Sequence, residues 1–132
     1  MLGEQISELK GKITSSRVLD VEGPIIEASE SASGNVRSTP INESRTFTAK
    51  PVCPGVLHGR GQVVMMGGDS EMATFTGEGI GRITAIGANW RGVFFYGTVS
   101  TGKLSFLNNI VGLFEVEIDS EGNFTEKVWE WK

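Results

Sequence analysis

Apolar and polar residues alternate along most of this chain with a period of two, which is the period of a β-strand with one buried face. The clearest case is the segment 110–118, where Ile110, Gly112, Phe114, Val116 and Ile118 share one face and glutamates lie on the other. No segment longer than one or two turns has the 3.6-residue period of an amphipathic helix. The pattern therefore predicts an all-β fold.

Turn-forming residues divide the alternating segments into about eight strands, at the spacing expected of a meander. We predict strands over 7–21 (long or bulged), 25–33, 42–49, 56–65, 71–86, 90–98, 110–118 and 124–132. Segment 25–33 is polar and rich in serine, so a mobile loop is the alternative there. Segment 104–109 has the apolar spacing of a single helical turn.

The strands over 71–86 and 90–98 are predicted to form a hairpin that breaks at Gly87-Ala88-Asn89. Gly77, Gly79 and Gly81 fall on one face of its first strand, because they are spaced by two residues. A strand face without side chains must be covered by something large. Aromatic rings from neighbouring strands and a bound ligand are the two candidates.

A sheet of about eight strands in a chain of 132 residues would curl and leave exposed edges unless it closed on itself. We therefore predict one domain over 1–132, an antiparallel up-and-down β-barrel with at most one short helical turn, in preference to a two-sheet sandwich. Glycines in the predicted strands support this fold, since strongly coiled strands need positions without side chains.

Composition narrows the classes of function. The chain carries 12 basic and 16 acidic residues, and the basic ones are scattered singly, so we expect no nucleic-acid partner. No apolar run approaches the length of a membrane span and no signal peptide is visible, so we expect a cytoplasmic protein without a membrane partner. The single cysteine, Cys53, is expected to be structural and not a nucleophile. We predict no cofactor.

Four segments have a distinctive sequence: 75–82 (Phe-Thr-Gly-Glu-Gly-Ile-Gly-Arg), Trp90-Arg91-Gly92, 114–117 and 127–132. In these segments the chain resembles a group of small uncharacterised microbial proteins, over about its C-terminal two thirds. More distantly, the glycine-rich hairpin is similar to those of allene-oxide-cyclase-like and lipocalin-like barrels. The distant resemblance implies an eight-stranded barrel whose cavity holds an apolar small molecule, and it carries over no catalytic residue.

Two local features suggest chemistry that we discount. The segment 77–82 looks like a phosphate-binding loop, but Arg82 stands at the position of the last glycine and a strand follows in place of a helix. His58 is the only histidine, which excludes a multi-histidine metal site, so we predict no metal. A strand histidine on the surface is a better expectation for His58 than a lone general base.

A collective site is a further hypothesis. If the face of His58 points into the barrel, polar side chains from several strands converge in an aromatic cavity and bind a ligand. The predicted ligand-binding residues are His58, Arg60, Gln62, Glu78, Arg82, Tyr96 and Glu115. The alternative is that these charged positions mark the solvated outside of the barrel.

Three functions therefore remain open. The favoured one is a binding barrel for a small apolar or amphipathic molecule. The second is an isomerase or cyclase with Glu78 or Glu115 as base. The third is an interaction protein whose barrel is filled by its own aromatic residues. Core packing is the expected role of Trp129 and Trp131, and a subunit interface is the alternative if their face is external. Together with Phe124 and Val93-Phe94-Phe95 they offer more aromatic surface than a small interior absorbs, so we also predict a homo-oligomer, most simply a dimer.

Overall fold

The computed structural model describes residues 1–132 and consists almost entirely of β-strands. The eight strands are β1 (Leu2–Asp20), β2 (Ile25–Val36), β3 (Thr39–Cys53), β4 (Val56–Met66), β5 (Met72–Thr84), β6 (Gly87–Gly97), β7 (Val111–Asp119) and β8 (Asn123–Trp131). One short 3-10 helix, Ser105–Leu107, lies between β6 and β7. No helix is long and apolar enough to cross a membrane.

The strands form a closed barrel in which each strand pairs with its neighbours in sequence and β8 returns to pair with β1. Every pairing is antiparallel. The predicted up-and-down barrel of eight strands is therefore confirmed, and so is the single helical turn within 104–109. Closure removes sheet edges that would otherwise be free to pair with other chains.

One local prediction is corrected, and the strand predicted over 25–33 is confirmed against its loop alternative. The β5–β6 hairpin turns at Ala85 and Ile86, two residues before the predicted break. Gly87 already belongs to β6, where a Cβ atom would collide with the backbone of Ile118 and Asp119, so the glycine is required by close approach of the strands. The serine-rich segment 25–33 is not a loop, because β2 pairs along its length with both β1 and β3.

The interior follows from the period-two pattern. Inward positions carry most of the apolar core, and the outward positions of β2, β3 and β5 are largely exposed and polar. On β4 the inward face is Leu57, Gly59, Gly61, Val63 and Met65. This face carries the glycines, so the inside of β4 offers space that larger side chains from other strands fill.

Aromatic rings cover the glycine face that the sequence singled out. A Cβ atom at Gly77 would lie 2.5 Å from the ring of Phe94, and one at Gly81 would lie 2.6 Å from the indole of Trp90. Phe94 in turn stacks on Phe114 with ring centroids 4.3 Å apart. Of the two candidates left open by the sequence, the aromatic rings of β6 and β7 are therefore the occupants of this face.

One end of the barrel is closed by the 3-10 helix and its flanks. Leu104 and Leu107 are completely buried, and they belong to the same apolar cluster as Ile41 and Met65. The backbone N–H of Leu104 donates to the Glu71 carboxylate at 2.9 Å, which fixes this segment to the β4–β5 connection. The 3-10 helix therefore acts as a plug at this end.

At the opposite end the barrel is extended by the hairpin of β1 and β2. β1 pairs with β8 as far as Lys12, and the residues from Thr14 to Asp20 pair with β2 alone and are all exposed. A register shift near Gln5 places both Ile6 and Ser7 in the interior, which is the signature of a β-bulge.

Candidate functional site

Four charged side chains lie in the interior of the barrel and form its polar centre. Arg45 of β3 donates from Nη1 and Nη2 to the two carboxylate oxygens of Glu126 on β8, at 2.8 and 2.9 Å. It also donates through Nε to Glu43 at 3.1 Å, and Nη2 contacts the same carboxylate. The fourth member is Glu30 of β2, which pairs in register with Arg45. We call these four residues the ionic cluster.

Each strand presents its charged residue to the interior through ordinary alternation. Glu126 lies between Phe124 and Val128 on the inward face of β8, and both of these apolar neighbours are buried. The ring of Phe124 lies 5.5 Å from the guanidinium carbon of Arg45, within the range of a cation–π contact. The ionic cluster is thus enclosed by apolar groups, which strengthens every electrostatic interaction within it.

The ionic cluster has an excess of negative charge. Three carboxylates share one guanidinium, which leaves a formal charge of −2 when all four groups are ionised. Burial raises the pKa of Glu30 to about 7, outweighing the attraction of Arg45, and the neighbouring carboxylates raise it further. Burial raises the pKa of Glu43 to about 7 as well. At neutral pH these two carboxyls therefore hold a proton for part of the time.

Burial lowers the pKa of Arg45, but Glu126 and Glu43 oppose this effect and hold that pKa well above its ordinary value. The guanidinium is thus the fixed positive charge of the site. Two buried polar atoms have no hydrogen-bond partner, the second carboxylate oxygen of Glu43 and the hydroxyl of Ser7. A buried acceptor without a partner is costly, which is consistent with a proton on Glu43 for part of the time.

Glu30 differs from the other two carboxylates because it makes no hydrogen bond or ion pair within the chain. Its side chain lines a cavity that also contacts Arg45 and Glu126. Glu30 is therefore the carboxyl of the ionic cluster that is available to a molecule entering the cavity.

The cavity has a volume of about 80 Å³ and is lined both by residues of the ionic cluster and by aromatic residues. Its apolar walls are Phe47, Val63, Trp90, Phe94, Phe114, Val116 and Ile118. Phe47 and Ile118 are only half-buried, so they mark the side of the cavity nearest to solvent. The cavity is small because the barrel is mostly filled by its own aromatic residues.

The structure separates the ligand-binding residues predicted from the sequence. Tyr96 points into the barrel, whereas His58, Arg60, Gln62, Glu78, Arg82 and Glu115 are exposed on its outer face. The expected convergence of all seven in the interior is therefore corrected, because β4 turns its glycine face inward and its histidine face outward. Outside the barrel, Arg60 and Glu78 form an ion pair at 3.0 Å between adjacent strands.

Tyr96 packs tightly in the interior, with its ring centroid 4.3 Å from that of Phe75. Burial raises the pKa of its hydroxyl well above the ordinary value, and the carboxylates of Glu126 and Glu43 add to this effect. The phenol therefore stays neutral, and it lies outside the group of residues that lines the cavity.

Sequence reasoning missed the four residues that do converge. A signal was present at Glu126. Phe124, Glu126 and Val128 are spaced by two residues and so share one face of a strand, and the carboxylate interrupts an otherwise apolar face. Glu30 carried no such signal, because serine and alanine surround it. The face of Ile41 and Phe47 is interrupted twice in succession, by Glu43 and Arg45, and two successive charges are more typical of an outer face. No group of three or more His, Cys, Asp and Glu side chains is placed to hold a metal ion.

The whole barrel is similar to two solved structures of unknown function. A protein from Clostridium acetobutylicum superposes with a TM-score of 0.82 at 10% identity, covering 98% of both chains. A conserved protein from Rhodopseudomonas palustris superposes with a TM-score of 0.80 at 7% identity, covering 98% of this chain and 97% of that one. No family model matches the chain, and no curated protein matches it.

These identities are low enough that the likeness shows the barrel fold alone. It supports the resemblance to small uncharacterised microbial proteins that the sequence indicated. The more distant similarity to lipocalin-like and allene-oxide-cyclase-like barrels stays a prediction, as does the binding of a ligand.

Proposed function

We propose that the protein binds a small amphipathic molecule whose polar head carries a positive charge and lies against Glu30. The observation that carries this proposal is a cavity with aromatic walls that ends at a carboxyl group without a partner in the chain. Small-molecule sites commonly combine apolar walls with a few convergent polar groups.

The sign of the ligand charge follows from the ionic cluster. With one guanidinium already bound by Glu43 and Glu126, an anionic head group would add to an excess of negative charge. A primary ammonium group supplies the missing positive charge and donates hydrogen bonds to Glu30. The rings of Trp90 and Phe47, with centroids 6.0 Å apart, offer aromatic faces near the same cavity.

The size of the ligand is limited by the cavity. A cavity of about 150 Å³ lined by aliphatic and aromatic residues holds one benzene molecule. The 80 Å³ found in this barrel therefore encloses a head group of a few heavy atoms. The rest of the molecule would lie beside Phe47 and Ile118, where the lining is half-buried. This size disfavours an enclosed lipid and favours a short aromatic or alkyl amine.

Three probes of similar size but different head group test the proposal: benzylamine, benzyl alcohol and benzoate. Binding is followed by NMR through the indole N–H of Trp90 and the amides of Gly59 and Gly77, all of which line the cavity. We expect benzylamine to bind most tightly and benzoate most weakly. Absence of any shift with all three probes would exclude the binding function.

The Glu30→Gln variant should lose the preference for benzylamine while it still binds benzyl alcohol. Glu115→Gln is the matched control, since its side chain is exposed on the outer face of β7 and does not line the cavity. If Glu115→Gln changes the preference and Glu30→Gln does not, the ligand site lies outside the barrel among the residues first predicted from the sequence.

A second candidate function is proton transfer, with Glu30 as general base in place of Glu78 or Glu115. A carboxyl with a pKa of about 7 beside a cavity is suited to accept a proton near neutral pH. The test is deuterium incorporation from D2O into a weakly acidic probe such as phenylacetone. We expect incorporation to stop in Glu30→Gln, and an unchanged rate in that variant would contradict this role.

A further inference from the structure

A band of apolar side chains covers the outer face of β6, β7, β8 and β1, where a barrel in water would ordinarily be polar. It consists of two cross-strand rows defined by the register of the strands, Val93–Leu113–Trp129 and Phe95–Val111–Trp131–Leu2. Leu2, Phe95 and Trp131 are each more than half exposed, at 53%, 54% and 51%. We call these seven residues the apolar band.

The expected core role of the two C-terminal tryptophans is corrected by this arrangement. Trp129 and Trp131 point outward, because the inward positions of β8 are held by Phe124, Glu126 and Val128. Contiguous exposed apolar patches on folded proteins mark interaction sites, and tryptophan is among the residues most enriched there.

A row of alternating charge borders the apolar band. Arg91, Glu115, Lys127 and Glu8 are opposite one another in register on β6, β7, β8 and β1, and all four are exposed. Lys127 forms no ion pair within the chain, and the only ion pair of Glu115 is a long one of 3.8 Å to Arg91. We call these four residues the charged row.

The charged row is complementary in charge to the same row of a second copy that runs in the opposite direction. A two-fold axis parallel to the strands, passing between β7 and β8, places a second copy with its strands in the opposite order. Glu115 then faces Lys127 of the second copy and Lys127 faces Glu115, while the outer pair, Arg91 and Glu8, match in the same way. The apolar band meets itself along the same axis, as an isologous interface requires.

We infer that this face is the interface of a homodimer, in which the apolar band packs against its copy beside reciprocal Glu115–Lys127 pairs. A strongly charged partner would be matched by a row of side chains of the opposite charge, whereas this row has two positive and two negative side chains. The inference is independent of ligand binding, because the apolar band and the charged row lie outside the barrel.

Charge exchange at the central pair gives the sharpest test. The species is measured by light scattering after size separation over a range of concentrations, with circular dichroism as a check of folding. We expect a dimer for the unmodified chain. Lys127→Glu and Glu115→Lys should each weaken dimerisation roughly tenfold or more, because like charges then face each other. The double variant Glu115→Lys, Lys127→Glu should restore it.

Trp131→Ala should also shift the species towards monomer. Val18→Asn is the matched control, since Val18 is 61% exposed on the β1–β2 extension, away from the apolar band. A monomer at all concentrations for the unmodified chain would overturn the inference. So would a dimer that the Val18 variant disrupts and the charge variants do not, because the interface would then lie at the extension.

Discussion

Arg45 and Glu126 join opposite parts of the barrel through two parallel hydrogen bonds of 2.8 and 2.9 Å, although 81 residues separate them in the sequence. β3 and β8 are not neighbours in the sheet, since β1 and β2 lie between them. The ion pair therefore crosses the interior and connects strands that no backbone hydrogen bond connects. Bidentate geometry of this kind fixes orientation as well as adding energy.

Removal of Arg45 should destabilise the fold severely. Arg45→Met leaves the buried carboxylates of Glu43 and Glu126 without a counter-charge, and breaking a buried pair in this way costs about 3–5 kcal/mol. The loss should be larger at pH 8 than at pH 5, where protonation relieves the repulsion. Urea unfolding at both pH values measures it.

Arg17→Met is the control for this experiment. Arg17 forms an ion pair with Glu27 on the exposed extension, and its length of 2.9 Å is similar to that of the Arg45–Glu126 pair. Exposed ion pairs contribute about 0–1 kcal/mol. Equal losses for the two arginine variants would show that the ionic cluster contributes no more than a surface pair.

The stability of the protein should depend on pH through Glu30. In the unfolded chain this carboxyl ionises near its ordinary pKa of 4.5, whereas in the barrel its pKa is about 7. Between these values the folded state holds a proton that the unfolded state has released. The contribution of Glu30 to the free energy of unfolding therefore falls as the pH rises through this window, and it is constant above it.

We expect Glu30→Gln to reduce the fall in unfolding free energy between pH 4.5 and 7 by roughly 1–3 kcal/mol. Chemical denaturation at several pH values measures this difference, with Glu121→Gln in the exposed β7–β8 loop as the control. An identical pH profile for the unmodified chain and Glu30→Gln would show that the carboxyl is not held protonated in the barrel.

Substitution of Gly77 should destabilise the barrel although alanine adds a single methyl group. The added Cβ would lie 2.5 Å from the ring of Phe94, which cannot move freely because it stacks on Phe114. Overpacking of this kind costs about 1–3 kcal/mol. Gly68→Ala, where nothing lies within 4 Å, should change stability little.

Thermal unfolding measures this effect. It compares the two single glycine variants with a double variant that combines Gly77→Ala and Phe94→Leu. The smaller leucine side chain should recover part of the loss, and a double variant less stable than the sum of the two single changes would contradict the collision.

Binding of benzylamine should strengthen as the pH rises through 7, because Glu30 then loses its proton while the amine keeps its own. Binding of uncharged benzyl alcohol should remain constant over the same range. Calorimetric titrations of both probes between pH 6 and 8 check this expectation. A parallel pH dependence for the two probes would show that the charge of Glu30 plays no part in recognition.

Much of the fold could be predicted because alternation is a local property. The segment 110–118 shows which of its faces is buried without reference to the rest of the chain. The interior face of β4 could not be assigned in this way. Gly59 and Gly61 are neither clearly apolar nor polar, and the opposite, polar face begins and ends with the apolar residues Val56 and Val64. Only the rings of other strands decide that the glycines point inward.

The candidate site was less predictable because its members are brought together by the closed barrel. Glu126 is stabilised inside by Arg45, and that pairing depends on two strands meeting across the lumen. Trp129 is apolar and would be assigned to the core on its own, yet alternation from Glu126 places it outside. Phe124 and Val128 hold this face of β8 inward together with the ion pair of Glu126, and the ion pair cannot be read from either strand alone.

The seam between β1 and β8 has a consequence for folding during synthesis. Each of the other strand pairs joins neighbours in sequence, so hairpins can form one after another as the chain emerges. β1 must wait for the last strand, and until then both edges of a growing sheet are open to other nascent chains. Closure of the seam brings together the two strands that are furthest apart in the sequence, so it has the largest entropy cost of loop closure. We therefore expect this step to limit the folding rate.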